Sequence, residues 1–163
     1  MSVPDSSPEQ YARTLPRKRM GAGVLLLDPD GRVLLVEPTY KDHWEVPGGV
    51  VEADESPNEA ARRELKEELD LSQPLGRLLA VDWVPPQEGR TEGLMMIFDG
   101  GVVPPAVAAE ISVPAEELRG WAFCSPQEAA VRLSPLLARR VSACVAARET
   151  GSVAYLEDGQ LVT

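Results

Sequence analysis

Residues 49–71 read GVVEADESPNEAARRELKEELDL. Ser56 stands where an N-cap is needed, Pro57 takes a first helical position where a missing N–H costs nothing, and Glu59 completes a capping box with the serine. The spacing predicts a helix over 57–69. At 100° per residue, Ala61, Leu65 and Leu69 form an apolar stripe suited to packing on a sheet, and Glu64, Glu67 and Glu68 form a second strip beside it. Carboxylates three or four residues apart on a helix repel, by about 0.2–0.5 kcal/mol per pair. A solvated face paired with Arg62, Arg63 and Lys66 is the plainer reading, but Arg62 and Lys66 point to other sides, so the strip is expected to lack a matching cation on its own helix. Hard divalent cations take oxygen ligands, and magnesium is held by a few carboxylates together with phosphates and waters. Three carboxylates at i, i+3 and i+4 offer that donor set from one rigid element.

Upstream, residues 20–38 read as two strands joined at Asp28-Pro29-Asp30-Gly31, a turn rich in residues that tolerate unusual dihedrals. In WEVPGGVVE, residues 44–52, Pro47 and the glycine pair interrupt regular structure and let backbone come close to something. Downstream, residues 76–86 and 92–103 read as longer strands, 104–117 as a less regular stretch, and 118–124 as a short strand. Ser125, Pro126 and Glu128 repeat the capping device, and a final helix over 134–150 buries Leu137, Val141, Cys144 and Val145 and stops at Gly151. The tail, 152–163, is expected to form a small hairpin. Interleaved strands and helices predict an α/β layered domain with a mixed sheet.

With 163 residues and 44% hydrophobic content the chain suffices for one core, so 1–163 reads as one domain with an N-terminal extension over 1–18. A net charge of −10 and no long basic run argue against binding duplex nucleic acid or an anionic membrane. An anionic substrate would then need a few local cations or a metal. Cys124 and Cys144 have no cysteine or histidine at ligand spacing and read as buried thiols. No apolar run approaches the roughly 18 residues of a membrane span. The first twenty residues lack a signal-peptide core, so a cytoplasmic location is expected.

The stretch from Gly49 to Leu71 resembles the Nudix box: Gly49, Glu55, Arg63, Glu64, Leu65, Glu67, Glu68 and Leu71 fall in register, and Asp70 stands where that family has glycine. The glycine ends the helix in a left-handed conformation, which aspartate can adopt. The resemblance implies an α/β/α sandwich and hydrolysis of the pyrophosphate bond in a nucleoside diphosphate linked to another group, with Mg2+ or Mn2+ as cofactor. By position, it implies Glu64, Glu67 and Glu68 as metal ligands with the Gly48 carbonyl, and Glu55 and Arg63 as supports. Glu64 or Glu67 would receive the proton of the attacking water, or a later acid among Glu110, Glu116 and Glu117 would, as in several members.

Trp44 and Lys41, with Gly49, are candidates for contact with substrate, Trp44 by stacking on a base. Glu37 stands where many members have a basic residue. Pro85 and Pro86 match a feature of the ADP-ribose branch, whereas Gly48-Gly49 does not, so nucleotide, ADP-ribose and nucleotide sugar all stay open. A different class of reading is a module of the same fold that binds a nucleotide metabolite without cleaving it. Loss of the glutamates would favour that reading, and all are present. A homodimer is open, since the family often pairs.

Overall fold

The computed structural model describes residues 7–163; the first six residues of the expected extension lie outside that range. Strands β1 (Arg19–Leu27) and β2 (Val33–Pro38) meet at Leu27 and Val33 across the expected turn. The Asp28 carboxylate closes that turn, accepting the backbone N–H of Asp30 at 3.0 Å and of Arg32 at 2.8 Å. Beyond the turn the two strands part. The segment 45–50 fills the gap: Val36 pairs with Glu45, the Val24 N–H donates to the Pro47 carbonyl at 2.9 Å, and β3 (Gly48–Val50) runs antiparallel to β1.

The sheet continues through β5 (Gly93–Val102), parallel to β1, then β4 (Leu78–Val84), antiparallel to β5. Next come β7 (Ala154–Glu157), parallel to β4, and β8 (Gln160–Leu161), while β6 (Leu118–Cys124) closes the other edge against β2. The sheet is therefore mixed, as expected. Strand alternation sends Ala22, Val24 and Leu26 to one face and Leu25 and Leu27 to the other.

Helix α2 (Pro57–Leu69) covers the first face with Ala61, Leu65 and Leu69. Helices α4 (Pro126–Arg132) and α5 (Pro135–Thr150) cover the second, burying Ala129, Val141, Cys144 and Ala147. Two short helices complete the set, α1 (Pro8–Thr14) in the extension and α3 (Pro105–Ala108) in the stretch expected to be irregular. Four capping serines, Ser7, Ser56, Ser125 and Ser134, each accept an N–H of their helix. The tail forms its hairpin, and β7 also extends the sheet through β4, a pairing that local pattern could not show. Among the described residues no helix is long and apolar enough to cross a membrane.

Candidate active site

The split between β1 and β2 brings the backbone of residues 45–50 against the polar side of α2. Gly48 donates its N–H to Glu68 Oε2 at 2.9 Å, and a Cβ on Gly48 would lie 2.4 Å from the Ala22 carbonyl. A Cβ on Gly49 would stand 2.2 Å from Glu64 Oε1. Both glycines are thus cleared for carboxylates and backbone of the site; Gly49, a substrate-contact candidate, is the seat of Glu64.

The strip does have a cation on its own helix, which corrects the expectation. Arg63 reaches across it, donating from Nη1 to Glu64 at 2.8 Å and Glu67 at 3.2 Å, from Nε and Nη2 to Glu55, and from Nη2 to the Val50 carbonyl. Helical periodicity sets Arg62 and Lys66 aside from the strip, whereas the long side chain of Arg63 bends over its neighbours. Lys66 pairs instead with Asp70 at 2.5 Å. Arg63 holds the Glu55 carboxyl down at about 2, helped by the Glu52 N–H, and Glu55 in turn raises Arg63.

Depth separates the three glutamates. Glu67 is exposed and Glu64 half-buried, while Glu68 is buried at 7% exposure. Burial pushes the Glu68 carboxyl up to about 8, and the charges of Glu64, Glu45 and Glu117 add to it against the Gly48 hydrogen bond. Burial likewise raises Glu64, with Glu67 and Glu117 adding and Arg63 opposing.

Of the three later acids, Glu117 is the one whose charge acts on Glu64 and Glu68. Its carbonyl accepts the Thr39 N–H, which fixes the loop to the end of β2. Glu116 uses its carbonyl for the Thr39 hydroxyl, and Glu110 is exposed after α3. Glu45 also belongs to this cluster and was missed; the signal was its place beside Pro47-Gly48-Gly49.

Trp44, the stacking candidate, lies on the face opposite α2. It packs against the core on the α5 side with the Arg132 guanidinium 4.4 Å over its ring, and its backbone N–H donates to the Arg132 carbonyl. Lys41 pairs with Glu45 at 2.8 Å and, with it, lines a cavity of about 310 Å³ on the face that carries α5.

Among the described residues no three acidic, histidine or cysteine side chains converge on one point, and Arg63 is bonded to both Glu64 and Glu67. The donor set nonetheless suits a hard divalent cation. Every donor is an oxygen, the buried Glu68 has no cationic partner among the described residues, and exposed Glu67 is free to turn from Arg63.

A family model of the NUDIX domain matches residues 17–144. The chain belongs to the Nudix family. Nudix hydrolases generally use a divalent metal. Over 53 residues the chain is 45% identical to an RNA pyrophosphohydrolase of Halorhodospira halophila, a match spanning 32% of this chain and 29% of that protein. It is 32% identical over 108 residues to a CTP pyrophosphohydrolase of Escherichia coli, spanning 64% of this chain and 74% of that one. The fold is that of a MutT protein from Methanosarcina mazei Go1, with a TM-score of 0.66 at 20% identity, covering 85% of this chain and 99% of the other. The α/β Nudix fold expected from the box is therefore the fold observed. Matched segments span only about a third of the length of the RNA pyrophosphohydrolases.

Proposed function

We propose that this Nudix chain hydrolyses the pyrophosphate bond of a nucleoside diphosphate linked to another group, with Mg2+ or Mn2+ bound by Glu64, Glu67, Glu68 and the Gly48 carbonyl. The observation that carries the reading is the buried Glu68 carboxylate, held on Gly48 beside Glu64 with no cation of its own among the described residues. The relatives named RNA and CTP pyrophosphohydrolase support the reaction class. When bound, the metal would neutralise diphosphate charge and acidify a water.

The chain's own residues do the rest. Arg63 braces the loop through Glu55 and Val50 and orients Glu64 through one oxygen. Glu64 Oε2 has no hydrogen-bond partner among the described residues, and we assign it to accept the proton of the attacking water. Glu117, whose charge acts on Glu64, is the second candidate for that role. The box motif and the absence of any basic run support a small nucleotide-type substrate.

The test is a metal-dependent hydrolysis screen over nucleoside triphosphates, ADP-ribose, nucleotide sugars and dinucleoside polyphosphates, with product masses, for the native chain and Glu68→Gln. The variant keeps an oxygen acceptor for the Gly48 N–H. Turnover is expected to fall by at least about a hundredfold, the scale seen when a group stabilising transition-state charge is lost. Undiminished turnover in Glu68→Gln would overturn the assignment. No turnover on any compound, with one still binding tightly, would make the chain a binding module.

A further inference from the structure

The cavity that begins at Lys41 and Glu45 ends in positive charge. Its far wall carries Arg19, at the start of β1, and Arg90, at the tip of the connection between β4 and β5. In a chain of net charge −10, neither guanidinium has a carboxylate partner among the described residues. Most neighbouring charges are paired elsewhere, and Glu88, on the same turn as Arg90, forms an ion pair with neither arginine. Glu92 accepts from Lys18 at 2.6 Å and from the Trp83 indole at 2.7 Å, Lys41 is paired with Glu45, and Arg140 is paired with Asp82.

Both arginines are held by backbone. Arg19 Nε donates to the Thr91 carbonyl at 2.7 Å, and its two terminal nitrogens have no hydrogen-bond partner among the described residues. Arg90 and Gln87 exchange two backbone hydrogen bonds of 2.9 Å around Gly89, whose φ of +72° allows the tight turn. The two cations lie close enough for Arg90 to lower Arg19 further than burial already does. Two like charges placed together without a counter-charge are a site for an anion, and paired guanidinium groups match a phosphate's geometry.

We propose that this end of the cavity is a subsite for a second, remote phosphate of the substrate, so that the chain selects diphosphates carrying an extra phosphate on the group attached to the cleaved bond. The inference rests on the carboxylate strip as the site of cleavage. Arg19 stands four residues along β1 from Gly23, the partner of Gly48. At about 3.3 Å per residue that is roughly 13 Å of backbone along the strand, and Glu45, which lines the cavity and whose charge acts on Glu68, stands between the two sites.

Two measurements test this. First, inorganic phosphate is titrated into the native chain in chelator and followed by amide NMR, which needs no metal and no turnover. Shifts are expected at Arg90, Thr91 and Gly93, and they should vanish in Arg19→Gln/Arg90→Gln. Their absence, or their persistence in the double variant, overturns the proposal. Second, kcat/KM is compared within matched pairs differing by one phosphate: NADP against NAD, and ADP-ribose 2′-phosphate against ADP-ribose.

A preference of about tenfold or more for the phosphorylated member is expected, equivalent to about 1.4 kcal/mol, falling to within twofold in the double variant. Equal turnover of both members overturns the subsite and leaves the hydrolase standing. No turnover of any compound, with phosphate shifts lost in the double variant, overturns the hydrolase and leaves the anion site. Equal losses for both members in the double variant would mean that the arginines stack on a base instead, and would also overturn the proposal.

Discussion

Asp82 shows how a single residue reaches across this molecule. It sits fully buried in β4, where its Oδ2 accepts from Arg140 Nε at 2.7 Å and its Oδ1 from the Gly159 N–H at 3.0 Å. One carboxylate thus fastens α5 and the β7–β8 turn to the sheet, and it orients Arg140 in the wall of the cavity. Removing one partner of a buried pair strands the other charge, at a cost of about 3–5 kcal/mol, whereas replacing both with apolar groups costs far less. Asp82→Ala is therefore expected to lose about 3–5 kcal/mol in urea unfolding, and Asp82→Leu/Arg140→Leu clearly less. A single variant within about 1 kcal/mol of native would show that the pair carries no such load. Gly49 makes a related point at the site. Its hydrogen atom occupies the space that any side chain would contest with the Glu64 carboxylate.

At the scale of elements, α2 carries the chemistry and its ends are set locally. Ser56 and Glu59 satisfy each other's backbone N–H at the start. Asp70 ends it in the left-handed region, φ 55° and ψ 31°, as the turn requires, with Lys66 bound to its carboxylate. Glycine fits that conformation without the Cβ penalty, while the exposed Lys66 pair is worth at most about 1 kcal/mol. Asp70→Gly is expected to leave the midpoint of thermal unfolding unchanged or raise stability by up to about 1 kcal/mol, and Asp70→Val to lower it by about 1–2 kcal/mol. The reverse order would refute the left-handed cap. Helix α5 needs no such compromise, because Gly151 supplies its left-handed stop at φ +69°.

The whole molecule sets the response to acid. Asp28 is 4% exposed, and burial alone would raise its carboxyl, but hydrogen bonds from the backbone and guanidinium of Arg32 and from the Asp30 N–H bring it below the ordinary value of 3.8. A carboxyl depressed in the folded state contributes stability that is fully present above its unfolded value and is lost as pH falls through the folded one. Stability is thus expected to decline as pH drops below about 4, and less steeply in Asp28→Asn than in the native chain. Chemical unfolding midpoints across pH 2–6 check this; identical slopes would remove Asp28 from the account. The two thiols play no such part. Burial pushes Cys144 up to about 12 and raises Cys124, so both stay protonated in the core, as expected of buried thiols.

Features that depend on neighbours a few positions away were legible from the residues alone. Helix α2 over 57–69, its capping box, its apolar stripe and the glutamate strip follow from helical periodicity and cap chemistry, which act within one or two turns, while the left-handed Asp70 was implied by the resemblance to the Nudix box. The strands around the box were legible for the same reason, since alternation and turn residues are local signals. Only the tertiary structure decided which strand lies beside which. The parting of β1 and β2 to admit residues 45–50 buries Glu68 against Gly48, and no local pattern shows that. Trp44 finds Arg132, Asp82 finds Arg140, and Thr39 draws Glu117 to the glutamates, all across separations of dozens of residues. Arg19 and Arg90 become neighbours because β1 and β5 pair in parallel, a crossover whose register is set by packing on both faces of the sheet rather than by either strand's own residues.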